Sequence, residues 1–133
     1  MIKIFHGKKL LHIIHRRGDF SPGRKELISP DNFLQCAVLC MGTGKTFIPH
    51  VHNWNRWAGD KIAQESWVVI SGRVAVTYYD RGGLNLGVYE LSPGDASFTL
   101  EGGHNYEALE DGTLVYEFKT GPYQGQTHDK TFI

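Results

Sequence analysis

Apolar and polar positions alternate along this chain in short runs, and glycine or proline interrupts them at close intervals. In residues 34–41 the set Gln35, Ala37, Leu39 and Met41 alternates with Cys36, Val38 and Cys40. In 73–79 Val74, Val76 and Tyr78 share a face. A period of two is the mark of a strand, whose successive side chains point to opposite sides. Runs rich in β-branched and aromatic residues at 10–15, 67–70, 87–91, 96–100, 105–109 and 113–119 predict further strands. No stretch keeps a 3.6-residue period over three turns. Residues 29–33 can start one helical turn, with Ser29 or Asp31 as its cap.

Many short strands with turn signals between them predict an all-β sandwich or barrel. The Asp-Gly pair at 111–112 and the Gly-Gly pair at 82–83 read as hairpin connections. The less regular tail after residue 120 reads as an extended arm, packed on the outside of the body or on a partner subunit.

Length and composition narrow the reading. With 133 residues, 41% of them hydrophobic, the chain suits one domain with its own core. We divide it into N-terminal strands (1–41), a central region (44–109) and a C-terminal strand with an arm (113–133). Fourteen basic and fourteen acidic residues cancel, so no net field attracts nucleic acid or an anionic membrane. The N-terminus lacks the pattern of a signal peptide, and no run reaches the length of a membrane span. A soluble, cytoplasmic protein is the expectation. Cys36 and Cys40 would lie about 13 Å apart on one strand face, too far for a disulfide, and read as buried free thiols.

Of seven histidines, His6, His12, His15 and His128 read as surface or interface residues. His50 and His52 differ. On an extended segment they face the same side about 7 Å apart, and their ring nitrogens can converge on one ion. A lone His-x-His is a weak signal.

The surrounding residues sharpen it. Gly44, His50, His52, Glu65 and Gly72 are followed by Gly87, Pro93-Gly94-Asp95 and His104. This set resembles the two sequence motifs of the cupin superfamily. Two departures stand out. Twelve residues, 53–64, separate His52 from Glu65, a much longer spacer than the family pattern has, and Ala108 stands where an asparagine is usual. The inserted segment leaves Gln64 and Asp60 as alternatives to Glu65.

The resemblance implies a double-stranded β-helix, or jelly-roll, barrel. It also implies a divalent transition metal held by His50, His52, Glu65 and His104. Three imidazoles and a carboxylate suit Fe, Mn, Ni or Zn, and a six-coordinate ion would keep two positions open. Trp54, Arg56 and Trp57 in the insertion are candidate substrate contacts, expected at the barrel mouth. Tyr106 shares strand parity with His104 and, with Glu65, is a candidate to move protons. Tyr78, Tyr116 and Glu117 are further lining candidates.

The function these features suggest is a metal-dependent enzyme, of isomerase or epimerase type, acting on a small polar molecule such as a carbohydrate or sugar nucleotide. An Fe(II)-dependent dioxygenase, a non-catalytic binding protein and a metal-free epimerase with a His/Tyr pair are the alternatives. The resemblance also implies a homodimer.

Overall fold

The computed structural model describes residues 1–133 and is built almost wholly of strands. In chain order these are β1 (Ile2–His6), β2 (Lys9–Ile14), β3 (Gly23–Glu26), β4 (Leu34–Met41), β5 (His50–His52), β6 (Trp54–Asn55) and β7 (Lys61–Ile62). They continue as β8 (Glu65–Ser71), β9 (Val74–Tyr79), β10 (Asn85–Leu91), β11 (Ala96–Thr99), β12 (Gly103–Ala108) and β13 (Thr113–Thr120). A one-turn helix, α1 (Gln126–Asp129), leads into β14 (Lys130–Phe132). The residues at 29–33 form a tight turn rather than helix, with the Asn32 amide donating to the Ser29 carbonyl at 3.1 Å.

Two five-stranded sheets make the body, in the orders β10-β9-β12-β5-β14 and β11-β8-β13-β4-β3. Alternation decides which side chains meet between them. Trp67 and Val69 of β8, Val115 of β13, and Ala37, Leu39 and Met41 of β4 pack against Val74 and Val76 of β9 and Tyr106 and Ala108 of β12. Each fully buried aliphatic side chain here contributes about 1.5–3 kcal/mol. The rings of Trp67 and Tyr106, the two bulkiest of the fully buried side chains, stack with centroids 4.0 Å apart. This is the double-stranded β-helix architecture, all-β with a trace of helix.

The connections sort the turn signals. Residues 80–84 close the β9–β10 hairpin, where the Asp80 carboxylate accepts from the amides of Gly82 (2.8 Å) and Leu84 (2.9 Å). The Asp-Gly turn at 111–112 does not close a hairpin. Strand β12 already has β9 and β5 as its two neighbours, so the chain must cross to the other sheet, where β13 lies between β4 and β8. The tail is not a free arm either. β14 adds to the edge of its own sheet beside β5, pairing Lys130 with His52 and Phe132 with His50.

Two glycines permit close approaches of the backbone. Gly103 on β12 faces Val51 on β5, and a Cβ there would come within 3.2 Å of the His50 carbonyl oxygen. Its absence lets the two strands close and brings His104 opposite His50. Gly72, between β8 and β9, has φ of +75° and lies over Thr113, whose Cα would be 2.9 Å from a Cβ.

Candidate metal centre

Strand pairing gathers four side chains from two sheets. His50 and His52 project inward from β5, and β12 sets His104 directly across from His50. Glu65, the first residue of β8, reaches in from the opposite sheet. All four are buried, and one ligand atom from each lies within 4.8 Å of the others. The three imidazoles pack edge to face, with centroids 4.8–5.3 Å apart.

Hydrogen bonds orient the rings. His50 Nδ1 donates to the Ile48 carbonyl oxygen at 2.8 Å, which leaves a lone pair on its Nε2. His104 Nδ1 faces the Thr99 hydroxyl at 2.5 Å. The Nε2 atoms of all three histidines are buried without a hydrogen-bond partner. His52 Nε2 lies 3.2 Å from Glu65 Oε2, and His104 Nε2 lies 3.3 Å from Oε1. The Trp67 indole donates to Oε1 at 3.0 Å and holds the carboxylate in place.

Three orphaned nitrogens converging on a carboxylate are costly unless something joins them. A divalent cation does so, and the donor set suits a first-row transition metal. Burial alone would raise the Glu65 carboxyl; the facing His104 and His52 imidazoles outweigh it and hold the group well below the usual carboxylate range. Glu65 is therefore ionised, as a ligand must be. Gln64 is exposed, with its amide on the Leu100 carbonyl, and Asp60 is exposed on the inserted loop. Neither substitutes for Glu65.

Burial also pushes the His50 imidazole down, from 6.5 to about 4, and so favours the neutral, ligating form. In metal-free protein this has a consequence for pH. The unfolded chain takes up this proton near pH 6.5, the folded chain only near pH 4. Stability from this group is thus complete above pH 6.5 and lost as the pH falls to 4. The loss is about 3 kcal/mol. Urea midpoints of chelator-treated protein should fall across that window, and His50→Gln should flatten the curve. An unchanged wild-type midpoint would contradict this account.

Above the centre lies a cavity of about 500 Å³. Glu65 lines it, together with Arg24, Trp67, Glu117, Lys119 and Asp129. Arg24, Glu26, Glu117, Lys119 and Asp129 of its wall are paired. Arg24 grips Glu117 with two parallel hydrogen bonds, Nη1 to Oε2 at 2.9 Å and Nη2 to Oε1 at 2.7 Å. Burial would lower the Arg24 guanidinium, but Glu117 and Glu26 outweigh it and the net shift is upward. Lys119 donates to Asp129 at 2.8 Å, and the same carboxylate lies 3.9 Å from His52 Nδ1.

Several expected site residues lie elsewhere. Tyr106 points inward but sits in the core behind Trp67, 2% exposed, with its hydroxyl 3.0 Å from Ser97 Oγ. Burial pushes its hydroxyl above the ordinary tyrosine range. Trp54, Arg56 and Trp57 do not line the cavity. The insertion folds into the small β6–β7 hairpin and packs on the C-terminal segment instead. Asn55 Nδ2 donates to the Pro122 carbonyl at 2.8 Å, and the Trp57 ring meets His128 edge-on at 5.3 Å. Because β14 docks beside β5, the tail takes the place at the mouth and the insertion buttresses it.

No protein-family model and no curated protein matches the sequence. Solved structures do. KdgF from Halomonas sp. is 25% identical over 76% of this chain and 78% of its own, with a TM-score of 0.57. A Klebsiella pneumoniae protein described by its double-stranded β-helix domain aligns over 88% of both chains at 18% identity and a TM-score of 0.59. The chain has the cupin fold. The capsular polysaccharide assembling protein CapF from Staphylococcus aureus matches 99% of this chain at 16% identity and a TM-score of 0.66. The chain spans only 34% of CapF.

Proposed function

We propose that this protein is a metal-dependent enzyme of isomerase or epimerase type that acts on a small polar substrate, a carbohydrate or sugar nucleotide, as a cytoplasmic homodimer. One observation carries the reading: Glu65 belongs both to the four-residue cluster and to the lining of the cavity, so a cavity-bound molecule reaches the centre. The size of the cavity suits a single small ligand. Its walls offer charged and hydrogen-bonding groups around the aromatic rings of Phe47, Trp67 and Tyr123, a combination that suits a polyhydroxylated molecule. Resemblance to a protein of capsular polysaccharide assembly adds weight to a carbohydrate.

Residues His50, His52, Glu65 and His104 would hold the ion. A bound divalent ion supplies Lewis acidity toward a carbonyl or hydroxyl oxygen. The rest falls to the chain. Phe47 and Tyr123 give apolar ring surface at the cavity wall. Glu117, held in place by Arg24, is the carboxylate of the cavity wall assigned to take the proton. Strand pairing sets Glu117 beside Trp67 and Lys119 beside Glu65, so the proton acceptor stands two register positions along the ladder from the centre.

The test is turnover of reducing sugars and nucleotide sugars, followed by NMR, with metal-loaded and chelated protein, in air and without oxygen. Conversion that needs the metal and proceeds without oxygen is expected. Conversion that needs both Fe(II) and oxygen would replace this reading with a dioxygenase, and conversion by chelated protein would exclude a metal role.

A further inference from the structure

The N-terminal hairpin is out of keeping with the rest of the molecule. β1 and β2 pair with each other and with no other strand. An isolated two-stranded hairpin is at best marginally stable in water. Yet this one displays large apolar side chains. The register pairs Ile2 with Ile14 and Ile4 with His12, so three isoleucines share one face, each at least 42% exposed. Phe5 and Leu10, also paired, stand on the other face.

A second bare apolar surface lies on the outer face of the β11-β8-β13-β4 sheet. Phe98, Ser66 and Phe118 form one row across it, which ends at the buried Cys36. Phe33, Leu34 and Leu100 border that row, with Phe98 68% and Leu100 64% exposed. Contiguous apolar surface of this kind marks an interaction site. The patch continues into the ring cluster of His15, Phe20 and Tyr116, from which the hairpin departs.

Charge selects the occupant. Residues 1–17 carry Lys3, Lys8, Lys9, Arg16 and Arg17 and no acid. The rest of the chain carries nine basic and fourteen acidic residues. Exposed Asp31 and Glu101 flank the apolar patch in sequence. A basic apolar hairpin and an apolar patch with Asp31 and Glu101 next to it in sequence are complementary, and two copies satisfy both at once through a two-fold, isologous contact. We propose that the β1–β2 hairpin of one copy docks on the outer face of the β11-β8-β13-β4 sheet of a second copy, reciprocally. This rests on the homodimer reading and supplies the surface for it.

The test uses full-length chains in sedimentation velocity. Ile4→Asp disables the hairpin and Phe98→Asp the patch. Both side chains are exposed, so circular dichroism and metal content should match wild type. Wild type is expected to be a dimer at micromolar concentration, weakened by added salt. Each variant should be at least a hundredfold weaker in self-association. An equimolar mixture of the two should regain dimer, because one hairpin–patch contact remains intact. A monomeric wild type would overturn the homodimer itself. A dimer that persists in both variants, or a mixture that stays monomeric, would overturn this interface alone. Monomeric wild type that sediments with phosphatidylserine vesicles would assign the hairpin to a membrane surface instead.

Discussion

Replacing His104 with alanine should weaken metal binding by more than about a hundredfold, because loss of an outer-shell partner alone typically costs ten- to a hundredfold. His104 is one of four donors and is fully buried. Its Nε2 has no hydrogen-bond partner and faces Glu65 at 3.3 Å. Removing it takes a ligand from the ion and one of two imidazoles from the carboxylate. The Glu65 carboxyl then loses part of what holds it ionised against its burial, and becomes a poorer ligand in turn. The two losses compound.

Metal content by elemental analysis, and competition with a chromogenic chelator, measure the effect directly. A thermal readout separates it from misfolding. An ion at a thousand times its dissociation constant stabilises the folded state by about 4 kcal/mol. Wild type should therefore melt well above its chelated form, and that gap should close in the variant. His104→Gln keeps much of the volume and serves as the packing control. A variant that retains stoichiometric metal with unchanged affinity would show that the four-residue cluster is not the binding site.

How far the sequence foretold this centre depends on which kind of contact made each part. Strand parity was enough for His50 and His52, because it is a local property. Glu65 shares strand parity with Trp67 and Val69, both core residues, and that local pattern survives the twelve-residue insertion before it. The ladder on β13 holds a comparable signal: Glu117 and Lys119 share a face with buried Val115. Charged residues at inward positions were the visible sign of a polar cavity.

Parity says inward, but it does not say how deep. Tyr106 and His104 share the inward face of β12, yet one lies in the apolar layer and the other in the metal layer. Arg24 and Asp129 were harder still. Arg24 reaches Glu117 because β3 adds to the edge beside β4, and Asp129 reaches Lys119 and His52 because the tail adds beside β5. Those pairings join distant parts of the chain, and no local pattern encodes them. The same docking of the tail explains why the inserted tryptophans missed the cavity mouth.

Glu117→Gln should lower turnover by about a hundred- to ten-thousandfold, the range that general-base catalysis supplies. The substitution keeps size and most of the packing but removes the charge that accepts a proton. Arg24 would lose its bidentate carboxylate, though Glu26 still accepts from its Nε at 2.7 Å. The guanidinium is also partly exposed, so it is not left as a stranded buried charge. Metal content should stay at the wild-type level, because Glu117 is outside the four-residue cluster. The effect should fall on kcat more than on KM, since the lost interaction belongs to the transition state. Glu117→Asp should recover part of the rate, as it restores a carboxylate on a shorter arm. If Glu117→Gln instead raised KM and left kcat unchanged, the residue would be a binding group, and the proton would have to move through another acid of the cavity, of which Glu26 and Asp129 are the remaining candidates.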